Sequence, residues 1–128
     1  MSGETPRKDR DLTKANAQDV VGLVDDLLKQ GIKSGASDIH FEPTGAQLDI
    51  RFRLDGVLSS VESLPAALSD DEGAELIALG GLLTYRNDIP QEGRLEISGN
   101  GSTEVTDVRL AVFPTIYGQR AVVRLLYR

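Results

Sequence analysis

From Asn16 onward the apolar residues recur first with a helical period and then with a strand period. Val20, Leu23, Val24, Leu27 and Leu28 fall on one face of a helix, and Ile32 continues the stripe. Asn16 suits the N-cap, Asp19 complements the helix dipole in the first turn, and Gly35 suits the stop. Residues 37–42 then read as a short strand ended by Pro43, with a turn at Thr44-Gly45. In the next segment Leu48, Ile50, Phe52 and Leu54 point one way and Asp49, Arg51, Arg53 and Asp55 the other. That alternation predicts a sheet with one buried and one wet face. Gly56 marks a turn, residues 57–64 form a third strand before Pro65, and the short connections predict an antiparallel meander.

A second helix is expected from Ser69, where Ser69-Asp70-Asp71-Glu72 forms a capping box. Leu76, Ile77, Leu79 and Leu83 supply its apolar side, and Gly80-Gly81 weakens its end. Three more strands are predicted beyond Pro90, at 94–98, 104–113 and 119–127, the first two joined by a hairpin at Gly99-Asn100-Gly101-Ser102. In the last of them Arg120, Val122 and Arg124 share a face. The expectation is an α+β fold, an antiparallel sheet of about six strands with two helices on one side. Residues 1–15, charged and without periodicity, are expected to be a flexible tail, and residues 16–128 one domain.

Composition narrows the function. The chain of 128 residues carries 14 basic and 20 acidic residues, a net charge of −6, which disfavours nucleic-acid binding. Cysteine is absent, so disulfides and thiolate metal sites are excluded. No apolar run approaches the roughly 20 residues that cross a bilayer, and the opening residues are polar and charged, unlike a secretory leader. After Lys33 every basic residue is an arginine: Arg51, Arg53, Arg86, Arg94, Arg109, Arg120, Arg124 and Arg128. Arginine presents a planar fork that grips phosphate or carboxylate in two places; lysine is a point charge.

Five segments, in order, carry a family resemblance. Ala36-Ser37-Asp38-Ile39-His40-Phe41-Glu42-Pro43 resembles the "ASDIHIEP" segment of type II secretion and type IV pilus assembly ATPases. Arg51-Phe52-Arg53-Leu54-Asp55-Gly56-Val57-Leu58 is similar to "RyRiDGvL", and Ile89-Pro90-Gln91-Glu92-Gly93-Arg94 to "LPQDGR". Asp107-Val108-Arg109 resembles "DlRvS", and Pro114 to Arg120 resembles "PTvyGEr", followed by Val123-Arg124-Leu125-Leu126 as "vlRlL". The resemblance implies the PAS-like N-terminal domain of an ATPase that assembles as a hexamer and is cytoplasmic, either free or peripheral to the inner membrane through partners. It implies partners as well: a C-terminal P-loop ATPase domain, neighbouring subunits, and the secretion or pilus machinery. ATP and magnesium are the ligands expected of the full-length family protein, with no cofactor in this chain.

Two departures from the family pattern matter. No G-x-x-x-x-G-K-[S/T] loop occurs, so this chain by itself is not expected to hydrolyse ATP. Where the family usually has two arginines before "LPQDGR", this chain has Asn87 and Asp88. The chain ends on Ala121 to Arg128, at the point where the resemblance expects the family to run on into its ATPase domain.

Arg94, Arg109, Arg120 and Arg124 are the candidates for contacting nucleotide phosphate or a neighbouring domain, since fixed guanidinium groups stabilise phosphate charge without covalent chemistry. The competing reading pairs them with nearby acids such as Glu92, Glu96 and Asp107 as ordinary strand residues. Asp38, His40 and Glu42 alternate along one strand face and could hold a metal, but His40 is the only histidine and a structural role is favoured. Two functions are thus carried forward: a nucleotide-closing domain of a motor, and a free-standing protein-binding module derived from that family. A small-molecule sensor on a PAS-like fold ranks last, resting on fold analogy.

Overall fold

The computed structural model describes residues 17–66, 89–94 and 105–127. The expected tail at 1–15, the helix from Ser69, the hairpin at 99–102 and the Asn87-Asp88 pair lie outside those residues.

Helix α1 (Ala17–Ser34) buries Leu23, Val24, Leu27 and Leu28 along one stripe, and its solvent side carries the Asp25–Lys29 ion pair one turn apart. Its stop is chemical. Gly35 takes φ 78°, its N–H donates to Ile32 O and the N–H of Ala36 donates to Gly31 O, the two bonds of a Schellman cap.

Six strands follow: β1 (Asp38–Pro43), β2 (Gln47–Leu54), β3 (Val57–Pro65), β4 (Gln91–Arg94), β5 (Val105–Thr115) and β6 (Gly118–Tyr127). They form one antiparallel sheet in the order β3-β2-β1-β6-β5-β4. The expected meander of the first three strands is present, and its turns explain it. Thr44 Oγ1 accepts from the N–H groups of Ala46 and Gln47 to close β1 on β2. Asp55 and Gly56, at φ 52° and 81°, form the two-residue loop between Leu54 and Val57, the turn whose twist matches a hairpin.

β1 sits in the middle because both its edges are used: β2 pairs on one side and β6, far along the chain, on the other. The core is the layer between α1 and the sheet. Ile39, Phe41, Leu48, Ile50, Val112, Ala121 and Val123 are fully enclosed there.

The described part of the fourth strand, β4, spans Gln91–Arg94 and so begins earlier than the expected start at Arg94; the rest of the expected strand, 95–98, lies outside the described residues. Gly93 and Pro90 lower strand propensity here, but backbone pairing with Arg109 to Val112 of β5 overrides it. β5 also runs on to Thr115 through Pro114. Pro114 lies past the end of β4, whose last partner is Val112, so its missing N–H costs no ladder bond on that side. The architecture among the described residues is α+β, with six antiparallel strands and one helix on one face.

Candidate functional site

The sheet face turned away from α1 is where the outward residues of every strand converge, and the register aligns them. Arg94 faces Arg109 across β4–β5, Arg109 faces Arg124 across β5–β6, Arg124 faces Asp38 across β6–β1, and Asp38 faces Arg53 across β1–β2. Five strands thus contribute one residue each to a transverse row, four of them arginines. Strands lie about 4.8 Å apart, so bare guanidinium groups at this spacing would repel one another.

Two carboxylates offset that repulsion. Asp107 accepts a hydrogen bond from Arg109 Nε on Oδ2 at 2.8 Å and forms an ion pair through Oδ1 with Arg94 Nε at 3.0 Å. Asp38 accepts Arg53 Nε on Oδ2 at 3.0 Å and lies 3.5 Å from Arg124 Nε through Oδ1. Four guanidiniums against two carboxylates leave the row positive. The acids are the recessed members: Asp107 and Asp38 side chains are 18% and 14% exposed, whereas Arg94, Arg109 and Arg124 are 63%, 58% and 66% exposed. The hydrogen bond from Arg109, opposed by some desolvation, holds the Asp107 carboxyl below the ordinary carboxylate range, so it is ionised at neutral pH.

A groove of about 1100 Å³ runs over this face. Its floor beside the arginine row is Ala111, Val122 and His40. Burial lowers the pKa of His40, Arg120 and Arg53 lower it further, and Asp38 and Glu42 act the other way. The imidazole is therefore neutral at pH 7.

Of the four sequence candidates, Arg94, Arg109 and Arg124 come together in the row. Arg120 does not. It lies four residues from Arg124 along β6, about 13 Å by strand rise, with Nε on Glu42 Oε1 at 2.7 Å and its guanidinium 5.6 Å from the Phe113 ring. Arg53 is the member that sequence reasoning did not select. Its outward position in the β2 alternation was legible; its place in line with β4, β5 and β6 required the β1–β6 pairing. Arg53 is also anchored by Nη1 to Gly56 O at 3.1 Å, which makes it the most fixed of the four. Of the Asp38, His40 and Glu42 trio the two carboxylates are engaged by Arg53, Arg124 and Arg120, and no group of three or more such side chains among the described residues is placed to hold a metal ion.

A fold and face of this kind define a class: an α+β domain that presents oriented guanidinium groups and has no phosphate loop of its own. The family of type II/IV secretion system proteins matches residues 13–128. The chain belongs to that family. It is 37% identical over 123 residues to the type IV pilus assembly ATPase PilB of Myxococcus xanthus, covering 96% of this chain and 22% of that protein. It is 36% identical over 126 residues to the putative type II secretion system protein E of Escherichia coli K12, covering 98% of this chain and 25% of the relative. The chain therefore spans about a quarter or less of the length of these relatives. In fold it resembles the pilus retraction motor PilT crystallised with ADP, at a TM-score of 0.56 and 20% identity over 78% of this chain and 28% of that one.

Proposed function

We propose that this chain is the PAS-like N-terminal domain of a type II secretion or type IV pilus assembly ATPase. In this reading it closes over a nucleotide held by a following P-loop domain, within a cytoplasmic hexamer. The arginine row carries the proposal. Each of Arg94, Arg109 and Arg124 meets its carboxylate at Nε, is more than half exposed, and carries its terminal nitrogens as further N–H donors. Those nitrogens are the donors that match phosphate oxygens in pairs. ATP and Mg²⁺ would be held by the P-loop domain; this chain contributes fixed positive charge where charge develops during phosphoryl transfer. It supplies no nucleophile and no base.

The competing module reading draws on the Asn87-Asp88 pair, which replaces two arginines usual in the family. The intact mass of the native gene product separates the two readings: several-fold above 13.8 kDa places a catalytic domain in the same polypeptide, and a mass near 13.8 kDa leaves a free-standing module. In the complete gene product, Arg94→Ala and Arg109→Ala are each expected to lower kcat for ATP hydrolysis about a hundredfold. Unchanged ATPase rate and unchanged assembly in both variants would remove the row as a nucleotide contact.

A further inference from the structure

We infer that Asp107 is a positioning residue: it holds Arg94 of β4 and Arg109 of β5 as one preoriented pair. The inference rests on the nucleotide-closing reading and names the group that gives that site its geometry.

Asp107 turns one oxygen to each arginine, in an ion pair with Arg94 at 3.0 Å and a hydrogen bond from Arg109 at 2.8 Å. Both contacts are made at Nε. A guanidinium held at Nε by a recessed anchor is fixed in orientation and still has terminal N–H donors to offer a ligand. Without the anchor, two cations on adjacent strands would separate, and each long side chain would recover its rotamer freedom.

The backbone shows the same arrangement. β5 carries a register irregularity between Val105 and Asp107, the extra residue being Thr106. Strict alternation would put Val105 on the polar face beside Asp107. The bulge instead returns Val105 to the core, where it packs against the buried cluster, while Asp107 stays beneath the arginines. β4, described over Gln91–Arg94, is the edge strand of the sheet and pairs with β5 alone among the described strands.

The test uses the complete gene product and compares kcat and KM for MgATP. Asp107→Asn, nearly isosteric, is expected to lower kcat about tenfold with KM within about twofold, since orientation is lost while the cations remain. Asp107→Glu should recover part of the loss, and Asp25→Asn, which removes the same charge from α1, should leave the activity at the wild-type level. In an R94A/R109A background Asp107→Asn should add no further loss, because the carboxylate acts only through those two arginines. Wild-type kcat in Asp107→Asn, with R94A and R109A both impaired, overturns the inference. So does a full additional loss in the triple variant. If R94A and R109A themselves keep the wild-type rate, the nucleotide reading falls. The arginine Nε–Hε resonances of this chain then decide the inference alone. Two of them shifted and exchange-broadened by Asp107→Asn uphold the pair, and unshifted signals sink it.

Discussion

Gly31 shows how one missing methyl sets the helix against the sheet. A Cβ placed there would collide with Ile39 Cδ1 and lie 2.9 Å from its Cγ1, so α1 and β1 cross so closely that alanine fits only if the Ile39 side chain shifts. Alanine would gain roughly 1 kcal/mol of helix propensity and cost about 1–3 kcal/mol of overpacking. The expected outcome for Gly31→Ala is a net destabilisation of about 1 kcal/mol by urea unfolding. Ile39→Val in the same chain should restore part of it, because the Cδ1 nearest the new methyl is gone. This contact was not legible in the sequence. There Gly31 reads as a weak point in a helix, and only the packing of α1 on β1 gives it a reason.

At the scale of elements, the decisive strand is β1, which joins the N-terminal meander to β6. Its alternation Ile39, Phe41 inward and Asp38, His40, Glu42 outward was readable, as was the strict alternation of β2. Phe41 is completely enclosed, facing Ile50 on one side and Ala121 on the other. Phe41→Ala is therefore expected to cost about 3–5 kcal/mol, seen as a lowered denaturation midpoint with an unchanged slope. A loss below about 1 kcal/mol would mean that the α1–sheet layer is not the core. The early start of β4 at Gln91 escaped the sequence pattern because Gln91 to Gly93 have poor strand propensity and are recruited by β5. Local pattern has no access to a partner's backbone.

For the molecule as a whole, charge is unevenly distributed: the chain is acidic at −6, yet its open sheet face carries a positive row. Its response to acid follows from two kinds of group. His40, facing Asp38, Glu42, Arg53 and Arg120, has a lowered pKa in the fold, chiefly through burial. Below its ordinary value of about 6.5 the unfolded chain takes up a proton that the folded chain resists, so stability falls as pH drops. Asp49 is closed over by Gln47, Arg51 and Ser63 at the sheet surface. Desolvation would raise its pKa, but the hydrogen bonds from these three residues prevail and lower it. Its contribution is intact above the ordinary carboxylate range and is lost below about pH 4. Thermal midpoints should thus decline in two steps on acidification. His40→Gln should flatten the step that begins near pH 6.5 and spare the acid one.

The sequence by itself determined the helix with its glycine stop, the hydrophobic alternation of the strands, and the family, because those signals are local or are ordered motifs. It also determined that this chain has no phosphate loop. Which arginines act together was decided by tertiary structure. Arg94, Arg109, Arg124 and Arg53 are scattered over half the chain, and only the pairing of β1 with β6 and β4 with β5 brings them into line. The same pairing leaves Arg120 outside the row, held by Glu42. Periodicity assigns a side chain to a face; register, which long-range backbone hydrogen bonds fix, assigns it a neighbour.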